Sequence, residues 1–225
     1  TLLDEFPGLS QITNVYRLLA YAALERQPAQ YRAAADFLIQ LRDQSRESQD
    51  LVEINRLIGD CYFLNRDFAN SVDFYSAALS RGVSSPRDGE LFLRLISAQV
   101  RAGFIEQASE LIDQADSIGS ISNVDRWRAE WNVAQALQAS GELDLALQRV
   151  RLLLGDDSLS TLPASLDVRL RWLESYLSLQ AEELDGLANR VALLLARLEA
   201  MPPQQESAGD ELTPEEARLL KTEIL

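Results

Sequence analysis

The chain has 225 residues, 47% apolar and 25% charged, with 35 acidic side chains against 21 basic ones and a formal net charge of −14. It holds no histidine and one cysteine, Cys61, which excludes imidazole acid–base chemistry, an intrachain disulfide and a cysteine-rich zinc site. The acidic balance excludes a general nucleic-acid binder, which needs a basic face, and no apolar run approaches the ~20 residues of a membrane span.

Glycine (10) and proline (7) are scarce, and strand-like alternation is missing. Apolar residues instead recur at intervals of three and four. Val15, Leu18, Leu19 and Ala22 are followed by Tyr31, Ala34, Phe37, Leu38 and Leu41. Ile54, Leu57, Ile58, Cys61 and Tyr62 then precede Phe68, Val72, Tyr75, Ala78 and Leu79. Each run has the period of an amphipathic helix and a length of about 12–18 residues. Polar stretches at 42–50, 80–89, 117–123 and 155–165 separate the pairs. Ser85 before Pro86 predicts an N-cap with proline at the first helical position, and Ser165 is placed to cap the run from Leu166. The stretch 201–212 is poor in apolar residues and reads as a linker. Thr213-Pro214-Glu215-Glu216 is a capping box opening an amphipathic helix over 213–225, which either caps the stack or begins a further repeat. The expected fold class is all-α, built from antiparallel helix pairs over 1–200. The sequence opens on Thr1 rather than Met, the expectation for a processed or excised chain whose signal peptide or anchor, if any, lies upstream.

The pairs repeat. Gln30-Tyr31-Arg32-Ala33-Ala34, Asp67-Phe68-Ala69-Asn70-Ser71, Phe104-Ile105-Glu106-Gln107-Ala108 and Glu142-Leu143-Asp144-Leu145-Ala146 each place an aromatic or aliphatic residue three positions before a small one. The small residues fall at 34, 71, 108 and 146, spaced 37, 37 and 38 apart, a period in the range of helical-repeat architectures. Ile58-Gly59-Asp60-Cys61-Tyr62, then Asn65 to Phe68, then Ser71, Tyr75 and Ala78, resembles a tetratricopeptide repeat. Ala102-Gly103-Phe104 through Ala108, with Ile112 and Ala115, resembles the second half of the same unit, as does Ser140-Gly141-Glu142 through Ala146. The resemblance covers roughly 10–155, with a degenerate pair over about 166–200. Two departures are a period longer than the family's usual 34 and the replacement of the first-helix glycine by Ala22, Ile96 and Ala134. It implies a right-handed α-solenoid of four or five hairpins plus a C-terminal helix, with first helices on a concave inner face.

Chemistry finds little foothold. Asp156-Asp157 and Glu182-Glu183 are adjacent carboxylates, and neighbours on a helix do not share a face. Gly155-Asp156-Asp157-Ser158 lacks the alternating oxygen ligands of a calcium loop. Cys61 sits on an apolar helical face, the setting of a buried structural thiol. No nucleophile motif, phosphate loop or dinucleotide fingerprint is present. The reading is a non-enzymatic chain with no cofactor and no metal.

Binding remains. The resemblance implies contacts from inward-facing first-helix residues: Glu53, Arg56, Asp60 and Phe63; then Leu93, Arg94, Ser97 and Arg101; then Arg128, Trp131, Asn132 and Gln135. Arg56, Arg94, Arg101 and Arg128 are placed to form a guanidinium ladder for an acidic peptide or carboxylate, with Trp131 as aromatic anchor. One subclass of the family grips a terminal carboxylate through Lys and Asn. Here Asp60 stands where Asn is expected and the only lysine is Lys221, so that activity is not carried over. Two functions follow as expectations: a scaffold binding a protein or peptide, or a structural segment of a longer repeat protein that self-associates without a groove.

Overall fold

The computed structural model describes residues 12–45, 48–80, 88–115, 118, 121–155 and 163–200. The capping box at 213–225, the linker, Ser85, Pro86 and the Asp156-Asp157 pair lie outside them. Ten α-helices and no strand occur among the described residues. The chain divides into two compact units, 1–121 and 122–225. In the first lie α1 (Ile12–Leu24), α2 (Tyr31–Gln44), α3 (Ser48–Leu64), α4 (Phe68–Leu79), α5 (Asp88–Ala102) and α6 (Ile105–Asp113). In the second lie α7 (Asn123–Ser140), α8 (Leu143–Leu154), α9 (Ala164–Gln180) and α10 (Leu187–Ala200). Within each unit every helix packs on the next in sequence, as expected of successive hairpins.

The turns explain the period. The chain leaves α3, α5, α7 and α9 through a left-handed residue: Arg66 (φ 62), Gly103 (φ 83), Gly141 (φ 86) and Glu182 (φ 59). Each left-handed residue donates its backbone N–H three residues back, to Phe63, Val100, Gln138 and Leu179 respectively. The residue after it donates five back: Asp67 to Tyr62, Phe104 to Gln99, Glu142 to Leu137 and Glu183 to Ser178. This paired pattern satisfies the last carbonyls of a helix while reversing the chain. Three of the four turns run straight into the next helix. Four residues past their caps, Ser71, Ala108 and Ala146 are each 0% exposed, and Ala34 holds the same place in the first hairpin at 0%.

One turn and two turns further along the second helices the burial repeats, at Leu38, Tyr75, Ile112 and Val150, then at Leu41, Ala78, Ala115 and Leu153. These stripes meet apolar faces of the first helices. In the first unit Ala20, Ala23, Leu38, Leu41, Ile58 and Tyr62 form one core cluster, and Val72, Tyr75, Leu91 and Leu95 belong to another. In the second unit Val133, Leu137, Leu147 and Val150 are buried, and Val168 with Leu194 forms a core flanked by Trp172 and Leu198. Each large side chain so enclosed contributes about 1.5–3 kcal/mol of transfer free energy.

Two sequence expectations shift. The sequence pattern aligns Ala22 with Gly59, but Ala22 is exposed and Ala20 is buried instead. The cause is loop length: Gln30 donates to Ala23, seven residues back, where the other turns span five. Two extra residues push the equivalent position back to Ala20. Ser165 does not cap a helix beginning at Leu166; α9 starts at Ala164 after Pro163, and Ser165 is buried in its first turn.

Gly59 lies where α3 crosses α4, and a Cβ there would fall 2.5 Å from ring carbons of Tyr75. At Gly103 and Gly141 a Cβ meets nothing within 4 Å, so only the positive φ resists a side chain. Urea unfolding should therefore separate the two causes. Gly141→Ala is expected to cost about 1 kcal/mol, the backbone term alone, and Gly59→Ala about 1–3 kcal/mol from displaced packing. Equal, negligible losses at both positions would contradict this assignment.

Candidate partner-binding face

The turns supply an internal ruler. Counting back from each left-handed residue, Arg56, Leu93, Trp131 and Trp172 occupy one equivalent first-helix position. One helical turn later come Asp60, Ser97, Gln135 and Tyr176. The two units fill this register differently.

In the first unit the α3 positions of this register are ionic, and the α5 positions hold Leu93 and Ser97, with Arg94 one residue past Leu93. Asp60 on α3 is the hub. Its Oδ2 accepts from Arg56 Nη1 at 2.8 Å, and its Oδ1 accepts from the Tyr75 hydroxyl at 2.7 Å and from Arg94 Nη1 at 2.6 Å. Arg56 also donates to both carboxylate oxygens of Glu53, at 3.0 and 2.6 Å. Arg94 donates twice to Glu90, at 3.2 and 2.6 Å. The network therefore ties α3, α4 and α5 together. Asp60 is only 19% exposed at its side chain, so three donors converge on a carboxylate with little access to water.

Titration follows from this arrangement. The Glu53 hydrogen bond outweighs burial and holds Arg56 above its usual range. Burial works against the charge of Arg94, but Glu90 and Asp60 raise it above the usual arginine range. Burial, reinforced by the hydrogen bond to Asp60, pushes the Tyr75 hydroxyl well above the ordinary tyrosine range. Burial and the nearby Asp60 charge push the Cys61 thiol up to about 11. Such a thiol is a poor nucleophile, in keeping with a structural role.

Phe63 and Phe68 meet edge to face at 5.3 Å, and the Arg101 guanidinium lies over both rings, 5.1 and 5.6 Å from their centres. Arg101 is exposed, and Leu93 and Ser97 are half-buried. The expected guanidinium ladder is thus divided in the first unit. Arg56 and Arg94 are bound to carboxylates of their own chain, and Arg101 stands over an aromatic pair.

In the second unit the register is aromatic. Trp127 stacks on Trp131 at 5.4 Å, Trp131 on Trp172 at 6.4 Å, and Trp172 on Tyr176 at 5.3 Å, with interplanar angles of 23°, 27° and 5°. The pairs 127/131 and 172/176 are each four apart, so α7 and α9 each offer two rings on one face. Trp127 is buried at 5% exposure and Tyr176 is 39% exposed, with Trp131 and Trp172 between. Gln180 closes the far end, donating to the Tyr176 hydroxyl at 3.2 Å and accepting from Gln138 at 2.8 Å. Arg128 and Asn132 are half-buried beside the row and Gln135 is exposed. A bidentate pair from Arg149 to Glu130, at 2.8 and 2.9 Å, braces α8 against α7.

The sequence expectation omits Trp172 and Tyr176. Only the fold supplies the signal for them: the step between the left-handed residues Gly141 and Glu182 is 41 residues, and adding it to Trp131 and Gln135 lands on both. Among the described residues no group of His, Cys, Asp and Glu side chains is arranged to hold a metal ion, and no helix is long and apolar enough to cross a membrane.

No protein-family model and no curated protein matches the sequence. Solved structures do match. One is a crystal structure of the nearly identical TPR-like repeats of a Podosopora anserina putative kinesin light chain, with a TM-score of 0.54 and 14% identity, covering 84% of this chain and 93% of that one. At that identity the likeness speaks to the fold: the chain has a tetratricopeptide-like helical-repeat fold.

The Asp60 hub is testable by removing it. Asp60→Ala is expected to cost about 2–4 kcal/mol in urea unfolding, less than a fully enclosed pair because Arg94 keeps some water contact. A loss below about 0.5 kcal/mol, the size of an ordinary surface change, would overturn the hub. The pH dependence has a definite sign. Cys61 and Tyr75 hold their protons more tightly folded than unfolded, so their stabilisation is full below pH 9 and falls as pH rises through 11. Chemical denaturation at pH 8 and pH 11 checks it, and equal stability at both would contradict the assigned burial.

Proposed function

We propose that the chain is a non-enzymatic scaffold that receives a partner protein or peptide on the first-helix face of its hairpins. A helical-repeat fold supports this reading because it offers side chains at regular intervals to an extended partner. The observation that carries it is the aromatic row. Trp131 and Trp172 stand at repeat-equivalent positions and Tyr176 one helical turn further on, each with part of its surface open to solvent, and part-exposed aromatics of this kind are the usual anchors of an interface. Arg128, Asn132 and Gln135 supply a polar rim. In the first unit Phe63, Leu93 and Arg101 are the contact residues.

Arg56, Arg94 and Asp60 take a positioning role in this proposal. An acidic partner reaches the two arginines only by displacing Asp60, Glu53 or Glu90, so a preference for acidic sequences in the first unit rests on Arg101. No cofactor enters the scheme. The competing role, a structural segment that self-associates without a groove, separates from it by experiment.

Affinity capture from a lysate of the source organism, with mass spectrometry of the retained proteins, compares the native chain with Trp131→Ser/Tyr176→Ser. The native chain is expected to retain a defined partner that the variant loses by tenfold or more, an energy of about 1.4 kcal/mol. The single change Tyr176→Ser, at an exposed position, should alter stability by less than about 1 kcal/mol. Identical capture by both forms contradicts the aromatic anchor. Self-association of the native chain that the variant abolishes would support the structural role instead.

A further inference from the structure

The second unit carries another surface, which meets the aromatic row only at Gln180. Along α8, Leu145 is 49% exposed and Leu152 is 67% exposed. They lie seven residues apart, so they share one face of the helix, with Gln148 between them. Two adjoining cavities of about 360 Å³ each run beside this helix and share Asp144. Both are open to solvent; one is bordered by Gln180 to Glu182 of the α9–α10 turn, and the other by Arg151, Leu152 and Glu183 with buried Leu147. The walls carry Glu142, Asp144, Glu182 and Glu183, with Arg151 as the cation among the described lining residues. Arg151 is committed to Glu183 at 2.6 Å and Glu174 at 3.5 Å. Beyond these walls, Leu179 and Leu184 at the α9–α10 turn are 55% and 61% exposed.

We infer that the exposed face of α8, with the acidic cavities beside it, docks a basic amphipathic helix of a partner protein, with leucine-like side chains against Leu152 in a cavity wall and Leu145 outside both cavities on the same helix face, and lysines or arginines against Glu142, Asp144 and Glu182. The heptad spacing of the two leucines matches the apolar stripe that such a helix presents. Charge selects the occupant. A second copy of this chain brings a net charge of −14 to an acidic wall. The chain's own stretch 201–225 has six acidic and two basic side chains and is repelled in the same way. A cationic partner is drawn in by both the acidic cavities and the net charge. This inference does not depend on the aromatic row, so either can fail alone.

The probe is a fluorescein-labelled leucine–lysine peptide with leucine at heptad a and d positions, titrated into the full chain by fluorescence anisotropy. Two controls share its length: a scramble of the same composition, and a version with glutamate for lysine. The amphipathic basic peptide should bind one to one, and more weakly as salt is raised. Leu145→Ser/Leu152→Ser should weaken it by about tenfold or more, as should Glu142→Gln/Asp144→Asn/Glu182→Gln. Trp131→Ser should leave it unchanged, and circular dichroism should show every variant folded. Three results overturn the inference: the scramble binding as tightly, which leaves only bulk charge attraction; the leucine pair variant binding undiminished; or the glutamate peptide binding equally. Sedimentation showing a dimer that Leu145→Ser/Leu152→Ser dissolves would also overturn it, by naming a second copy as the occupant.

Discussion

Close approach of paired helices at one small side chain in each of the first four hairpins is the constraint on which the remaining structure depends. Ala34, Ser71, Ala108 and Ala146 lie four residues past a turn and have no exposed surface. A larger side chain there has no room without parting the helices. Once the pair is drawn together, the following stripes, with Tyr75 and Ile112 among them, fall against the first helices and enclose the core. Gly59 applies the same rule from the opposite side, leaving space for the Tyr75 ring. The turn itself is secured by backbone hydrogen bonds that tolerate Arg66 or Glu182 as well as glycine.

A common frame with different fillings follows from that constraint. The backbone offers equivalent first-helix positions, and the side chains placed there decide what each unit presents. Arg56, Asp60 and Arg94 close on one another and on Tyr75, so this part of the first unit holds three helices together. Trp131, Trp172 and Tyr176 stack in a row in the second unit and leave surface open. The ionic filling serves the fold; the proposed partner face is the aromatic one.

The all-α class and the repeat are legible because turn and small residue recur together at 37 and 38, a local pattern that composition preserves. The last hairpin is not legible in the same way. Its turn ends at Glu183, α10 begins only at Leu187, and Arg190 stands where the other hairpins carry a small residue, its backbone N–H donating to Gly186 as the small ones do to their caps. With that marker gone, the ruler needed to reach Trp172 and Tyr176 is out of sight. The misplacement of Ala22 has a similar origin in two extra loop residues. For the arginines the difficulty is different. Arg56 and Asp60, four apart on one helix, are a readable pair, but Arg94 meets Asp60 across 34 residues of chain, and only the fold brings them together.

The most direct measurement on this account is the stability of two alanine-to-leucine changes that sequence alone treats alike. Ala108 is 0% exposed at the helix approach and Ala22 is exposed. Urea unfolding of Ala108→Leu is expected to lose about 2–3 kcal/mol through overpacking, while Ala22→Leu stays within about 0.5 kcal/mol of the native chain. Equal stability of the two variants would contradict the claim that the buried small residue sets the hairpin.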